Sequence, residues 1–202
     1  MKKYYEIDWH AEWQRHGPNF KDGHVHIIFS ELGLTESDCW RQNQIALSPG
    51  PGFGDFSHAT TRLVLSMMAP YVANEHVLDI GCGSGVLSIA AYALGAKSCH
   101  GVDIDEDAVA HAEQNALKTN SQCHFSLPQK HYPEASILVM NMIRSEQCVA
   151  LDGVDTSHLK MIFTSGVLAE EKQEYLAQTE AWGWKAVAIK ADSGWLGFHF
   201  VL

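Results

Sequence analysis

The run His76-Val77-Leu78-Asp79-Ile80-Gly81-Cys82-Gly83-Ser84-Gly85-Val86 constrains this chain more than any other stretch. A short apolar strand meets an acidic residue, then three alternating glycines, then a small-residue segment of helical character. Glycines at that spacing leave the strand end with no Cβ in the way. A ligand can then lie against backbone amides at a helix N-terminus.

The neighbouring residues discriminate between ligands. A dinucleotide fingerprint requires Gly-x-Gly-x-x-Gly/Ala, the third glycine permitting close helix–strand packing above a pyrophosphate. Gly81 and Gly83 fit that pattern, but the third position is Val86 and the extra glycine, Gly85, falls one residue early. Asp79 would crowd a diphosphate with negative charge, whereas it suits a ligand bearing an α-ammonium group, as a methionine moiety does. Further on, Gly101-Val102-Asp103-Ile104-Asp105 reads as a second strand ending in a carboxylate. Asp103 falls roughly 20 residues beyond the loop, where an acidic side chain reaches ribose hydroxyls in either cofactor class. Ile104 sits beside it as a further cofactor contact. S-adenosylmethionine is therefore the expected cofactor, and a nicotinamide oxidoreductase is disfavoured by Val86.

From residue 76 onward short apolar runs alternate with helical patterns, which predicts βαβ units and a mostly parallel sheet. Strands are expected at 76–80, 98–103, 123–126, 136–140 and 160–164. Helices are expected at 84–94, 105–118 and 169–182, with Gly95 as a stop for the first and carboxylates at the positive end of the second. Segments 185–190 and 195–201 flank Asp192-Ser193-Gly194, which reads as a hairpin turn. Before residue 76 the pattern is irregular, with Trp9, Trp13 and Trp40 in a polar setting and one helix near 59–68. The expected division is a short extension or lid over residues 1–45 and a cofactor-binding domain over 46–202.

With 202 residues, 46% of them hydrophobic, the chain can bury one sizeable core. The formal charge is −10 and no basic cluster exceeds Lys2-Lys3, which argues against direct nucleic-acid binding. No apolar run approaches the ~20 residues of a membrane span, and the start lacks the apolar region of a signal peptide. Five scattered cysteines without a Cys-x-x-Cys pair read as free thiols in a reducing compartment, so a cytoplasmic location is expected. Among twelve histidines His24-x-His26 is the only close pair, with no third ligand at metal-binding spacing. No metal is expected.

Several segments resemble the bacterial ribosomal protein methyltransferases that modify amino groups of the eleventh large-subunit ribosomal protein. Ser48-Pro49-Gly50-Pro51-Gly52-Phe53-Gly54-Asp55-Phe56-Ser57-His58-Ala59-Thr60-Thr61 is similar to that family's signature ahead of the first core strand. The glycine loop through Ala91, Gly101–Asp105, Met140-Asn141-Met142-Ile143, Ser165-Gly166-Val167-Leu168 and Asp8-Trp9-x-x-x-Trp13 match it as well. The resemblance implies a Rossmann-like class I methyltransferase of α/β type, with a seven-stranded, mostly parallel sheet closed by an antiparallel C-terminal hairpin. Three departures stand out. Too few residues precede the signature for the family's N-terminal recognition domain. The usual Gly-Thr-Gly becomes Gly54-Asp55-Phe56, with Ala59 replacing a proline. Phe125-Ser126-Leu127-Pro128 lacks the acidic residue that often meets adenine.

Methyl transfer is an in-line displacement that depends on alignment. Asn141, at the C-terminal end of the fourth core strand, is where open α/β sheets place ligand contacts, and its amide oxygen suits an amine acceptor. It is the candidate catalytic residue; the alternative is a residue that merely ends a strand. Phe53 is read either as packing on the cofactor or as a core plug. Thr60 is read as a cofactor contact, a helix cap, or both. His58 is read as a base or as a brace for the loop. Cys82 is expected to bind through its backbone amide rather than its thiol. The methyl acceptor is a protein amino group or a small molecule; a non-catalytic cofactor-binding protein of the same fold is the alternative.

Overall fold

A computed structural model of the protein describes residues 7–35 and 40–202. Lys2-Lys3 and Cys39 lie outside the described residues. The centre is a seven-stranded sheet of β4 (His76–Ile80), β5 (Ser98–Val102), β6 (His124–Ser126), β7 (Ile137–Asn141), β8 (Met161–Leu168), β9 (Lys185–Asp192) and β10 (Trp195–Val201). Their spatial order is β6-β5-β4-β7-β8-β10-β9. Strands β4 to β8 pair in parallel, and β10 inserts antiparallel between β8 and β9. The chain therefore leaves β4 in one direction, through β5 and β6, and returns to β7 on the other side. The carboxyl ends of β4 and β7 form the switch point at which such sheets open a crevice.

The period-two alternation of the central strands distributes their side chains between two cores. Val77, Ile137 and Val139 join the core beneath helices α2 (Ala59–Met68), α3 (Val86–Ala93) and α4 (Glu106–Lys118). Leu78, Ile80, Leu138 and Met140 join the opposite one, with Tyr175 of α6 (Lys172–Ala181), Phe198 and Phe200. The same parity turns Asp79 into the α3 side rather than toward solvent.

Boundaries depart from the sequence expectation where backbone geometry intervenes. Helix α3 starts at Val86 rather than residue 84, because Gly85 occupies its N-cap with φ +79°. Strand β5 stops at Val102, so Asp103 lies just beyond it. Strand β8 continues four residues past Thr164, because Val167 and Leu168 pair with Leu196 and Trp195 of β10. The register shift between Leu196 and Phe198 is taken up by a bulge containing Gly166, whose φ is +90°. The segment from 169 is a one-turn 3-10 helix before α6 begins at Lys172. The C-terminal hairpin closes through Ser193 and Gly194, with φ +51° and +82°, the left-handed pair of a two-residue turn.

The residues read as irregular form regular structure. Helix α1 (Trp9–His16) and an antiparallel sheet of β1 (Phe20–Lys21), β2 (His24–Ile28) and β3 (Gln44–Leu47) precede α2. Alternating His24-Val25-His26-Ile27 buries Val25 and Ile27 at 0% and 2% exposure, inside the same core as Leu65 and Ile89. Arg41 fastens this layer by donating to the carbonyls of Tyr92 (2.6 Å) and Ala96 (2.8 Å) at the end of α3. A short helix α5 (Arg144–Ala150), not expected from sequence, follows β7. No helix among the described residues is long and apolar enough to cross a membrane.

Candidate functional site

The glycine loop leaves β4 with left-handed φ values at Gly81 (+76°), Gly83 (+54°) and Gly85 (+79°). Its amides do not stand bare. Those of Gly81 and Cys82 donate to the Val102 carbonyl at 2.7 and 3.0 Å, that of Gly83 to Asp103 Oδ2 at 2.9 Å and that of Ser84 to the Phe53 carbonyl at 2.8 Å. The expectation that the Cys82 amide is free for a ligand is corrected accordingly: the turn is tight enough for the Val102 carbonyl to take two successive amides. Burial pushes the Cys82 thiol well above the ordinary range, with the Asp79 charge adding to it, so the thiol is unreactive.

Asp103 sits past β5 with Oδ1 accepting the Asp105 amide (3.1 Å) and Oδ2 that of Gly83. A carboxylate offers about four lone-pair sites, so each oxygen retains one for a hydroxyl donor. Beside it Ile104 is 86% exposed, and across the loop Phe53 is 54% exposed. Both leave apolar surface open to a ligand near the carboxylate. The donor set fits the expected cofactor.

Asp79 is 1% exposed; its Oδ2 accepts from Ser88 Oγ at 2.8 Å, while Oδ1 is buried with no hydrogen-bond partner. Desolvation pushes its carboxyl up to about 7, against the Ser88 hydrogen bonds, with the Asp103 charge adding to the rise. It lies under the loop rather than on the surface of the crevice.

The Ser48–Gly54 arm crosses the loop from the other side. A Cβ at Gly52 would fall 2.6 Å from the Gly83 and Ser84 backbone, so only glycine permits that approach. Ser84 Oγ donates to the Gly54 carbonyl at 2.8 Å. Where the arm enters α2, His58 is the N-cap: its Nδ1 accepts the Thr60 amide at 3.4 Å and lies 2.8 Å from Thr60 Oγ1. Thr60 is thus the capped residue, not the cap, because its side chain lies inside the first turn. His58 also meets Phe53 and Trp195 edge to face, at 5.5 and 5.3 Å between ring centres. This is the bracing role.

Asn141 ends β7 at the switch point. Its Nδ2 donates to Thr61 Oγ1 at 3.2 Å, and its Oδ1 is buried without a partner. Sequence reasoning missed the groups that hold this end in place. Gln147, 0% exposed, donates to the carbonyls of Met142 and Ser165, both at 2.9 Å, and its own carbonyl accepts from Tyr175, whose hydroxyl also meets Thr164. It also missed His111 and Asn115 of α4, whose i, i+4 spacing in the sequence was the available signal. Alongside, a cleft of about 500 Å³ opens between α5 and α6, lined by Ile143, Gly166, Leu168, Glu174, Arg144 and Trp195. Among the described residues no grouping of three or more His, Cys, Asp or Glu is placed to hold a metal ion, and His24 instead meets Lys118 and Ser48.

Comparison with known proteins gives a consistent picture. The family described as "Ribosomal protein L11 methyltransferase (PrmA)" matches residues 1–202. A ribosomal protein L11 methyltransferase of Clostridium perfringens is 30% identical over 201 residues, covering 96% of this chain and 64% of the relative. One from Chromobacterium violaceum is 38% identical over 155 residues, covering 75% of this chain and 52% of the relative. The chain thus spans less than two thirds of the length of these relatives. The crystal structure of a ribosomal protein L11 methylase from Lactobacillus delbrueckii subsp. bulgaricus superposes with TM-score 0.68 at 24% identity, over 84% of this chain and 91% of that one. A Pyrococcus abyssi tRNA (uracil-54, C5)-methyltransferase solved with S-adenosyl-L-homocysteine gives TM-score 0.62 at 15% identity, over 90% and 45%. At these identities the structural likeness speaks for the methyltransferase fold alone.

Proposed function

Because the chain belongs to the ribosomal protein L11 methyltransferase (PrmA) family, we propose that it transfers a methyl group from S-adenosylmethionine to an amino group of a protein. The observation that carries this reading is the buried, unpartnered Oδ1 of Asn141 at the switch point. A buried acceptor without a donor costs about 1–3 kcal/mol, which an amine arriving at that oxygen recovers.

In this reading Asp103 would accept the ribose hydroxyls, and Phe53 and Ile104 would offer the cofactor apolar contact. Asp79, buried under the loop, acts on the α-ammonium group through its charge and not by direct contact, and that cation draws its raised carboxyl toward the ionised form. When bound, S-adenosylmethionine supplies a methyl group on a sulfonium, an electrophile that needs alignment more than activation. Asn141 Oδ1 accepts from the incoming neutral amine and points its lone pair, a positioning effect of the kind that lowers barriers by several kcal/mol. Thr61 holds the Asn141 amide the right way round by receiving its Nδ2–H. The cleft between α5 and α6 receives the acceptor chain.

The test is transfer of labelled methyl groups to purified ribosomal protein L11 and to total ribosomal protein, followed by mass spectrometry of the modified sites. N-methylation that disappears in Asn141→Ala supports the proposal. Firm S-adenosylhomocysteine binding without transfer to any protein fraction would overturn it in favour of a non-catalytic cofactor-binding protein.

A further inference from the structure

His111 lies in the body of α4 at 3% exposure, and both nitrogens of its ring meet the Ser48–Gly54 arm. Nε2 is 2.8 Å from the Ser48 carbonyl, and Nδ1 accepts the Gly52 amide at 3.1 Å. A carbonyl oxygen can only accept and a backbone N–H can only donate, so the two arm partners put the proton on Nε2 and leave Nδ1 bare; Asn115 Nδ2, 3.2 Å from Nε2, then donates to the Ser84 carbonyl and not to the ring. The arm therefore selects a neutral ring in one tautomer. Protonation would set Nδ1–H against the Gly52 N–H, two donors facing each other.

The ring acts on the glycine loop through one short stretch of chain. A Cβ at Gly50 would come within 2.4 Å of the imidazole, so the arm wraps the ring at van der Waals distance. One helical turn on, Asn115 accepts the Ser48 amide on Oδ1 (2.8 Å) and donates from Nδ2 to the Ser84 carbonyl (3.0 Å). Beyond Gly52, the Phe53 carbonyl takes the Ser84 amide, and the Phe53 ring is half exposed beside the loop. Trp13 of α1 closes the site with an edge contact at 5.6 Å between ring centres.

We propose that His111 is a positioning residue of the cofactor site: its neutral ring pins the Ser48–Gly54 arm across the glycine loop, and its protonation releases the arm. This rests on the cofactor reading above. The groups packed on the ring (Trp13 from α1, Ser48, Gly50 and Gly52 from the arm, Asn115 from α4) carry no charge. Burial holds the His111 pKa below its ordinary 6.5, opposed by the Ser48 carbonyl. The folded-state value is depressed, so the contribution of the clamp is complete above 6.5 and is lost as pH falls through that lower value.

Two measurements test this. In the cofactor-free protein, hydrogen exchange of the Gly52 and Ser84 amides, corrected for intrinsic rates, is followed from about pH 7.5 to about pH 5. Loss of their protection on acidification, absent in His111→Gln, supports the clamp; the glutamine amide can donate to Ser48 and accept from Gly52 without titrating. Equal behaviour of the two proteins overturns it. The second measurement is calorimetric binding of S-adenosylhomocysteine to wild type, His111→Gln and His111→Leu over the same range. Asp79 titrates in this window in all three, so the readout is the difference between proteins. Wild type is expected to lose about tenfold more affinity than His111→Gln, ~1.4 kcal/mol, while His111→Leu binds weakly throughout. Matching profiles in the presence of arm release overturn the positioning role and leave His111 a structural contact. Failure of all three proteins to bind at any pH overturns the cofactor reading itself, and with it the role. Should His111→Gln not fold, tracked by circular dichroism, the wild-type exchange profile decides the clamp alone.

Discussion

Asp103 shows how one side chain serves structure and ligand together. Its two oxygens already hold the Gly83 and Asp105 amides, so Asp103→Ala loosens the loop as well as removing two ribose contacts, each worth roughly 1.5–3 kcal/mol. S-adenosylhomocysteine affinity is expected to fall at least about tenfold by calorimetry; unchanged affinity in a folded variant removes the assignment. Asn141→Ala is expected to behave differently. Turnover should drop about a hundredfold, ~2.7 kcal/mol at the transition state, with cofactor affinity changed less than about threefold. Normal turnover on the identified acceptor would make Asn141 a strand terminus only. Asp79 offers a pH test in the cofactor-free protein. Its folded-state value is raised to about 7 from 3.8, so the stability tied to its neutral form is complete below 3.8 and is lost as pH rises through about 7. In Asp79→Asn the fall in melting temperature between about pH 5 and pH 8 should shrink by more than ~2 °C. Parallel falls in both proteins would remove the burial argument.

At the scale of elements, the arm and the loop are two irregular segments that meet through glycine. Gly52→Ala forces its Cβ into the Gly83–Ser84 backbone, which cannot rotate aside as a side chain could. The arm must lift, taking Phe53 with it. Cofactor affinity is expected to fall at least about tenfold with the circular dichroism of the fold retained; intact affinity would show that the arm does not shape the cofactor site. The regular elements were legible in sequence in proportion to how local their causes are. Strand β4 and helix α2 were legible residue for residue, since a mostly apolar run ending at a glycine turn and a helical pattern bounded by turn residues need no distant partner. The last four residues of β8 were not, because Gly166 enters the strand only through the bulge that β10 imposes. Helix α5 was missed because its seven residues show little periodicity; it is held by Gln147, whose partners lie on other elements.

For the molecule as a whole, the N-terminal helix and three-stranded sheet share one core with α2, α3 and α4. Residues 1–45 and 46–202 were expected as an extension and a domain, a division that runs through strand β3. The shared core leads to the expectation of one cooperative unfolding transition, coincident by tryptophan fluorescence and far-ultraviolet circular dichroism. Two separated transitions would support the division instead. The α/β architecture, the parallel centre, the glycine loop and the Asp103 position were set by short-range pattern: alternation, glycine spacing and strand length suffice to specify them. What only the tertiary structure decided is which polar atoms remain available. That the loop amides are taken by Val102, Asp103 and Phe53, and that Asn141 keeps a buried free oxygen beside Thr61, depend on hydrogen bonds between residues 20 to 80 positions apart; that His58 rather than Thr60 caps α2 depends on the backbone turn at the helix start, which sets the ring against an amide two residues on. Hydrogen bonding is short-ranged and directional, so no count of residues along a chain can assign those partners; they exist once the sheet has brought its carboxyl ends together.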